Sequence, residues 1–217
     1  PAVVAHGGAG PGPKRQKNLE SAVQKAASIL ISGGTALEAA VEACVILEDD
    51  PVFNAGTGSV IRTDGSVLTD ASIQIGDGRV GFVIAMEDTP NPIRVAADLL
   101  DEDINGLTSA GARLWADQRG HINAKVEGRS PEGQIGDENA EITGDTIGVI
   151  ARDGNGTIVV ATSTGGCSYR PPGRVGDVPL PGSGFWAEGC LAVAATGIGE
   201  AITRALLSNK VYERIRN

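Results

Sequence analysis

Thr146 follows Gly144-Asp145 and opens an apolar, β-branched run over Ile147–Ile150, while a second run over Thr157–Val160 leads to Thr162-Ser163-Thr164. Between them, Asp153-Gly154-Asn155-Gly156 supplies the positive φ angles that a tight hairpin turn needs. A three-residue loop, Gly154 to Gly156, pairs Asp153 with Thr157. Thr146 then lies directly across from Thr164, with Cβ atoms about 4.5–5.5 Å apart. A one-residue slip presents Ser163 instead and turns Thr164 to the other face. Either register sets a second hydroxyl beside the first, where it can hydrogen-bond that hydroxyl and tune its reactivity.

Paired threonines on a hairpin are ordinary structure in most proteins. A Gly-Asp step just before one of them suits another use. An internal Thr hydroxyl is a poor nucleophile because no base is guaranteed nearby, whereas breaking the Asp145–Thr146 bond frees an amine on the same residue. An α-amine titrates near roughly 7.7–8.0, against about 10.4 for lysine, so a useful fraction is neutral at physiological pH. The break can be autocatalytic: the Thr146 hydroxyl attacks the Asp145 carbonyl, and water hydrolyses the resulting ester. Gly144 permits the strained backbone that this attack needs. The expected products are an α part of residues 1–145 and a β part of residues 146–217.

The elements that must position these groups read as follows. A short strand at Ala2–Ala5 leads into His6-Gly7-Gly8-Ala9-Gly10. Helical periodicity runs from about Leu19 to Ile31 and stops at Gly33-Gly34. Thr35-Ala36-Leu37-Glu38 is a capping box opening a second helix that reaches about Glu48. After an irregular loop from Asp49 to Gly58, strand-like runs lie near Ser59–Arg62, Ser66–Ile75 and Arg79–Met86, separated by Asp-Gly turns. Helices are expected over Ile93–Leu100 and Leu107–Gln118. Residues 119–143 read as a polar surface linker. Beyond the hairpin come a Pro/Gly-rich loop from Tyr169 to Gly184, a strand near Leu191–Ala194 and a helix from about Gly199. This order suggests an α+β fold in one domain, with sheets covered by helices on their outer faces. A linker inside a single domain makes sense if the chain is cut beside it.

Bulk composition narrows the function classes. The 217 residues are 41% hydrophobic and 21% charged, as in a soluble globular protein with a sizeable core. Aromatics are only 3%, so the core must rest on Ala, Val, Ile and Leu. Residues 1–145 hold 11 Lys/Arg against 22 Asp/Glu, a net −11, while residues 146–217 hold 7 against 5, a net +2. An acidic chain lacks the footprint for nucleic acid or an anionic membrane, but the small cationic excess after Thr146 suits a small anionic ligand. No apolar run approaches the roughly 20 residues of a membrane span. Cys44, Cys167 and Cys190 have no metal-type spacing, and an odd count points to reduced thiols in the cytoplasm. "GGAGPGPK" at 7–14 mimics a phosphate loop, but Pro13 precedes Lys14 and no hydroxyl follows it. His6 reads as a turn or core histidine, and thiol catalysis by Cys167 would leave Thr146 unexplained.

Eight stretches then fall into a known order: "HGGAG" at 6–10, "LEDDPVFNAGTGSV" at 47–60, "DGSVLTDASI" at 64–73, "NPI" at 91–93, "DTIG" at 145–148, "TSTGG" at 162–166, "PGRVGDVPLPGSG" at 172–184 and "ATGIGEAITRAL" at 195–206. Together they cover most of the chain and resemble the plant-type asparaginases, or isoaspartyl peptidases, with glycosylasparaginases as close relatives. The resemblance implies an N-terminal nucleophile hydrolase, self-cleaved into α and β subunits within a four-layer αββα sandwich. It implies a homodimer of αβ units that hydrolyses the side-chain amide of L-asparagine and β-aspartyl dipeptides. Thr146 would be the nucleophile, with Thr164 supporting it. Arg174 and Asp177 would hold the substrate's α-carboxylate and α-amine. The Thr196 hydroxyl and the Gly197 N–H would form the oxyanion hole, and Asn54 would approach from the α side. No cofactor is implied for catalysis. The loop Leu47–Thr57 resembles a structural sodium loop, with carbonyl ligands from Leu47, Glu48, Asp50, Phe53, Ala55 and Thr57. The resemblance also leads one to expect a β part longer than the 72 residues from Thr146 to Asn217.

The chemistry of the Arg-Asp pair agrees independently. An amino-acid ligand needs a planar cation for its carboxylate and an anion for its amine, and Arg suits the first bidentately. Gly173 and Gly176 are expected to leave room around the pair. Two other readings stay open on the sequence: a glycosylasparaginase, which Asp145 and "DTIG" suit, and a catalytically silent precursor or truncated subunit acting as an assembly partner.

Overall fold

The computed structural model describes residues 1–9, 15–130 and 146–217. The elements follow in the order β1 (Ala2–His6), α1 (Gln16–Ile31), α2 (Ala36–Asp49), β2 (Thr69–Ile75), β3 (Val80–Met86), α3 (Pro92–Asp98), β4 (Gly106–Thr108) and α4 (Ser109–Gln118). After the undescribed stretch come β5 (Ile147–Arg152), β6 (Ile158–Thr164), β7 (Phe185–Glu188), β8 (Leu191–Ala194), α5 (Gly199–Ala205) and α6 (Leu207–Arg216). Six strands form one sheet in the order β1-β5-β6-β2-β3-β4, antiparallel except for the β3–β4 edge. β7 and β8 pair as a separate antiparallel hairpin.

Every residue of β6 is buried, so both its faces are covered. Strand residues alternate sides with a period of two. Val159 and Ala161 pack into the main core with α1, α2 and α3. Val160 points the other way and packs with Phe185 and Ala187 of β7. α6 packs in turn on β7 and β8. Thr162 and Thr164 share the parity of Val160 and so face the hairpin side, as does Thr146, one step before β5. Sequence parity alone therefore selects which hydroxyls meet the site.

The core is built of small residues. Ala36, Ala39, Ala40 and Ala43 of α2 are fully buried, which lets this helix approach the sheet closely. The helix starts where the capping box places it, with the Glu38 N–H donating to Thr35 Oγ1 at 3.1 Å. A second acceptor comes from far away: Asp153 Oδ2 takes the Ala36 N–H at 3.2 Å. Asp153 Oδ1 accepts from Asn155 and Thr157 N–H at 2.9 and 3.1 Å. One carboxylate thus shapes the hairpin turn and fastens it to a helix start.

Three expectations need correction, and one strand lies where none is expected. The run at Ser59–Arg62 forms no strand beyond a single bridge from Val60 to Arg129. Asn54 Oδ1 takes the Val60 N–H, and the Arg62 N–H turns back to the Ser66 carbonyl. The helix expected from Leu107 starts at Ser109, because Gly106–Thr108 pairs along β3. β7 was not legible at all, being four residues at the end of a Pro/Gly-rich loop. The last helix is broken at Leu206, whose φ of 48° is left-handed without a glycine to ease it. Of the expected linker, residues 131–143 lie outside the described residues. Among the described residues, no helix is long and apolar enough to cross a membrane.

Candidate active site

The hairpin takes the register that its turn dictates. Ile147 pairs with Ser163 and Arg152 with Ile158, which sets Thr146 across from Thr164. The Thr146 hydroxyl donates to Thr164 Oγ1 at 3.3 Å, and the Gly166 N–H donates to the same oxygen at 3.0 Å. Both threonines are buried. Asp145 and Gly144, the other side of the expected cleavage point, lie outside the described residues. So do Gly10 of the first glycine motif and residues 11–14.

The loop carrying Arg174 and Asp177 is pinned onto this face of the sheet. The Ser72 hydroxyl donates to the Val178 carbonyl at 2.7 Å and stands 2.6 Å from Thr162 Oγ1. The Asp177 carbonyl accepts from Leu180 and Gly184 N–H at 3.0 and 3.1 Å. Side chains on β2 and β6 therefore fix where Asp177 sits. Arg174 meets Glu200 twice, through Nε at 3.1 Å and Nη2 at 2.9 Å. A Cβ at Gly199 would stand 2.8 Å from Asp177 Oδ1 and 2.9 Å from Arg174 Nη2, and one at Gly176 would stand 2.7 Å from Arg174 Nη1. Gly176 leaves room as expected. Gly173 has nothing within 4 Å of its Cβ position and instead supplies a φ of 77°. The second spacing glycine is Gly199.

Thr146, Thr164, Arg174, Asp177, Gly197 and Glu200 share one cleft. Burial pushes the Asp177 carboxyl up to about 6, against the opposing pull of its own backbone N–H and Arg174. Thr196 is half-buried beside Gly197, which lines the cleft at a positive φ of 147° that favours glycine. Asn54 sits elsewhere in the wall. Its Nδ2 donates to the Gly166 carbonyl at 2.6 Å, its Oδ1 accepts from Val60, and its own carbonyl accepts from Gly165 at 2.9 Å. Its amide therefore holds the loop that follows Thr164 against the α part.

The loop after α2 folds its carbonyls inward. The Glu48 carbonyl faces the Cβ position of Gly56, and the Phe53 and Pro51 carbonyls face that of Gly58. The last carbonyls of a helix lack intrahelical partners, so Leu47 and Glu48 bring acceptors to this loop. Carbonyls are hard oxygen donors of the kind that cations like sodium take, while the Asp50 and Ala55 carbonyls accept from the Phe53 and Gly58 N–H groups here.

Some neighbours have no metal or catalytic spacing that sequence reasoning could single out, although His6, Asp70 and Glu200 lie within the family-like stretches. Glu200 pairs with Arg174, as described. His6 is paired with Gly148, whose absent side chain makes room for the ring. Burial lowers His6 to about 4, opposed by a Thr146 backbone group. Its neutral ring thus lies against the backbone of Thr146. Asp70 extends the Thr146–Thr164 row one strand further, opposite Thr164 on β2. Arg62 is buried next to Gly166. "TDASI" and "IRTDG" offer no metal or catalytic spacing, so only the fold brings these charges to the cleft.

Two overlapping stretches, residues 1–128 and 107–217, match the family model described as Asparaginase. The chain belongs to this asparaginase family. It is 37% identical to the plant-type L-asparaginase of Pyrobaculum calidifontis, over 95% of this chain and 77% of that protein. It is 38% identical to the isoaspartyl peptidase/L-asparaginase of Macaca fascicularis, over 96% of this chain and 74% of that one. The plant-type L-asparaginase of Pyrococcus horikoshii is 31% identical, over 99% of this chain and 79% of its own length. The mixed helix and strand content and the multistranded sheet are those of an asparaginase-family chain.

Proposed function

We propose that this chain is a self-cleaving threonine hydrolase that hydrolyses the side-chain amide of L-asparagine and of β-aspartyl dipeptides. The names of its relatives support the substrate class. The observation that carries the reading is the buried Thr146–Thr164 pair facing Arg174 and Asp177 across one cleft.

The Thr146 hydroxyl attacks the Asp145 carbonyl and the Asp145–Thr146 C–N bond breaks, freeing the Thr146 amine and leaving Asp145 esterified to Oγ1. Water then hydrolyses that ester, releasing the Asp145 carboxylate and the Thr146 hydroxyl. Asp177 then takes the substrate's ammonium, and Arg174 its α-carboxylate. The Thr146 amine accepts the hydroxyl proton as Oγ1 attacks the side-chain amide carbon. The Gly197 N–H and the Thr196 hydroxyl stabilise the tetrahedral oxyanion. The amine returns the proton to the leaving nitrogen, and ammonia or an amino acid departs. A water, deprotonated by the same amine, hydrolyses the β-aspartyl ester on Thr146. Thr164 Oγ1 accepts from the Gly166 N–H throughout, and its own hydroxyl proton is free to turn to Thr146 Oγ1 once that oxygen has lost its proton.

On this reading the chain is one domain, cut into α and β subunits between Asp145 and Thr146, and built as a four-layer αββα sandwich. Packing of α1–α3 on the six-stranded sheet, and of β7, β8 and α6 on its other side, supports that architecture. A sodium-type ion held by carbonyls of Leu47, Glu48, Asp50, Phe53, Ala55 and Thr57 would brace the loop that carries Asn54. The assembly is a homodimer of αβ units in the cytoplasm. Three free cysteines suit a reducing compartment.

Denaturing mass spectrometry tests the cut, and ammonia or amino-acid release from asparagine, a β-aspartyl dipeptide and glycosylated asparagine tests the substrate. Fragments ending at Asp145 and starting at Thr146, with turnover of the first two compounds, are expected. Thr146→Ala should abolish both cut and turnover. A Thr146→Ala chain that still splits there would remove Thr146 from the mechanism, and an intact chain with full activity would overturn the proposal.

A further inference from the structure

Two buried side chains of opposite charge stand behind the cleft wall with polar atoms unmet. Arg62 is 3% exposed, and its Nε and Nη1 have no hydrogen-bond partner among the described residues. Asp70 is 1% exposed; its Oδ1 accepts from the Ala85 N–H at 2.7 Å, and its Oδ2 has no hydrogen-bond partner among the described residues. A bulge sets up that contact. Thr69 pairs with Met86 and Ala71 with Val83, so Asp70 faces two residues of β3, one of them Ala85 at a left-handed φ of 53°. Buried charges without full pairing are costly and concentrate where proteins use them.

Their placement says what the use is. The Arg62 guanidinium fills the space where a Cβ at position 166 would stand. Gly166 and Cys167 line the cleft, so Arg62 lies one backbone thickness behind its wall. The charged and titratable groups around it are Asp70, Arg174, Cys167 and Asp64. Arg174, meanwhile, is already engaged by Glu200 at 2.9 Å. The cation that lines the cleft is held in a direct ion pair, whereas the one behind the wall is moderated by Asp70 with no ion-pair contact between them among the described residues.

Resting on the proposed function, we infer that Arg62 is a specificity-determining residue. Its charge favours substrates with a free α-carboxylate next to Arg174, and Asp70 is the counter-charge that moderates it. Arg62 acts through its field across the Gly166 backbone, in ground-state binding rather than in bond making. The two side chains therefore have opposite effects on the same quantity.

The test measures kcat and KM on the cleaved protein for asparagine and for 3-aminopropanamide, which lacks only the α-carboxylate. Arg62→Met should raise the KM for asparagine about tenfold, the effect of one charge a few ångströms beyond contact at a protein surface. Its kcat should stay within about twofold, and the preference for asparagine over 3-aminopropanamide should narrow by the same factor. Arg62→Lys should keep most of the preference. Asp70→Asn, which retains the acceptor for the Ala85 N–H, should lower the asparagine KM. L-aspartate binding by calorimetry should follow the same order. An unchanged preference in Arg62→Met, or equal losses on both substrates, would overturn the inference and leave the proposed function standing. A wild-type protein that neither binds L-aspartate nor hydrolyses any acid amide would bring down both.

Discussion

The hydroxyl oxygens of Thr146 and Thr164 lie 3.3 Å apart, one step beyond the Ile147–Ser163 pair of β5 and β6. Thr164 Oγ1 accepts from both Thr146 and the Gly166 N–H. Thr164→Val keeps the shape and removes that acceptor. On the proposed mechanism kcat falls more than about tenfold with little change in KM. The stranded Gly166 N–H costs about 1–3 kcal/mol of stability. Steady-state kinetics with urea denaturation measure both, and an unimpaired kcat would exclude Thr164 from the mechanism.

Thr196→Ala separates binding from chemistry. Loss of an oxyanion donor typically lowers kcat by about 10²–10³, with substrate affinity largely kept. A rise in KM at constant kcat would instead place Thr196 in ground-state binding. Inhibition by the product aspartate, measured on the same variant, gives the affinity directly.

Gly199 is a glycine whose Cβ position both the Arg174 and Asp177 side chains approach. Gly199→Ala suits the first turn of α5 and favours helix by about 0.5–1 kcal/mol. Its Cβ would press on Asp177 Oδ1 and Arg174 Nη2 from 2.8 and 2.9 Å. The expected result is unchanged or raised thermal stability together with a KM about tenfold higher. A variant with native KM would show that the pair can shift without loss.

Glu48 is fully buried, with Oε1 accepting from the Ile93 N–H at 3.2 Å, and burial pushes its carboxyl from 4.5 up to about 8. The native state therefore holds this proton more tightly than the unfolded chain. Glu48's contribution to stability is complete below about 4.5 and is lost as the pH rises toward about 8. Glu48→Gln keeps the acceptor and removes the titration. The Tm of the variant relative to wild type should climb between pH 5 and pH 8, and a difference independent of pH would refute this.

Asp153 serves the hairpin and α2 together. Asp153→Ala leaves three N–H groups, of Ala36, Asn155 and Thr157, short of an acceptor. The expected loss is about 1–3 kcal/mol, larger than for a cap alone because the turn loosens as well. Chemical denaturation measures it. Asp153→Asn should recover part, since it keeps one acceptor oxygen.

The sequence by itself determined the hairpin that sets Thr146 across from Thr164, and the two long N-terminal helices. Asp153-Gly154-Asn155-Gly156 admits one favoured turn, and a period of two carries that register to Thr146 and Thr164. Thr35 and Glu38 mark a helix start through contacts three residues apart. These are local choices, set by backbone torsions and near neighbours. Only the tertiary structure decided the rest. Ser72 holds the Val178 carbonyl from 106 positions away, and that bond sets where Asp177 stands. Arg62 and Asp70 come to stand behind the cleft wall from a turn and a bulge, with no metal or catalytic spacing to single them out. Edge pairing turned Gly106–Thr108 into strand, and packing broke the last helix at Leu206. Such outcomes depend on which surfaces meet when the chain condenses, and the free energy of those meetings is not written in any one segment.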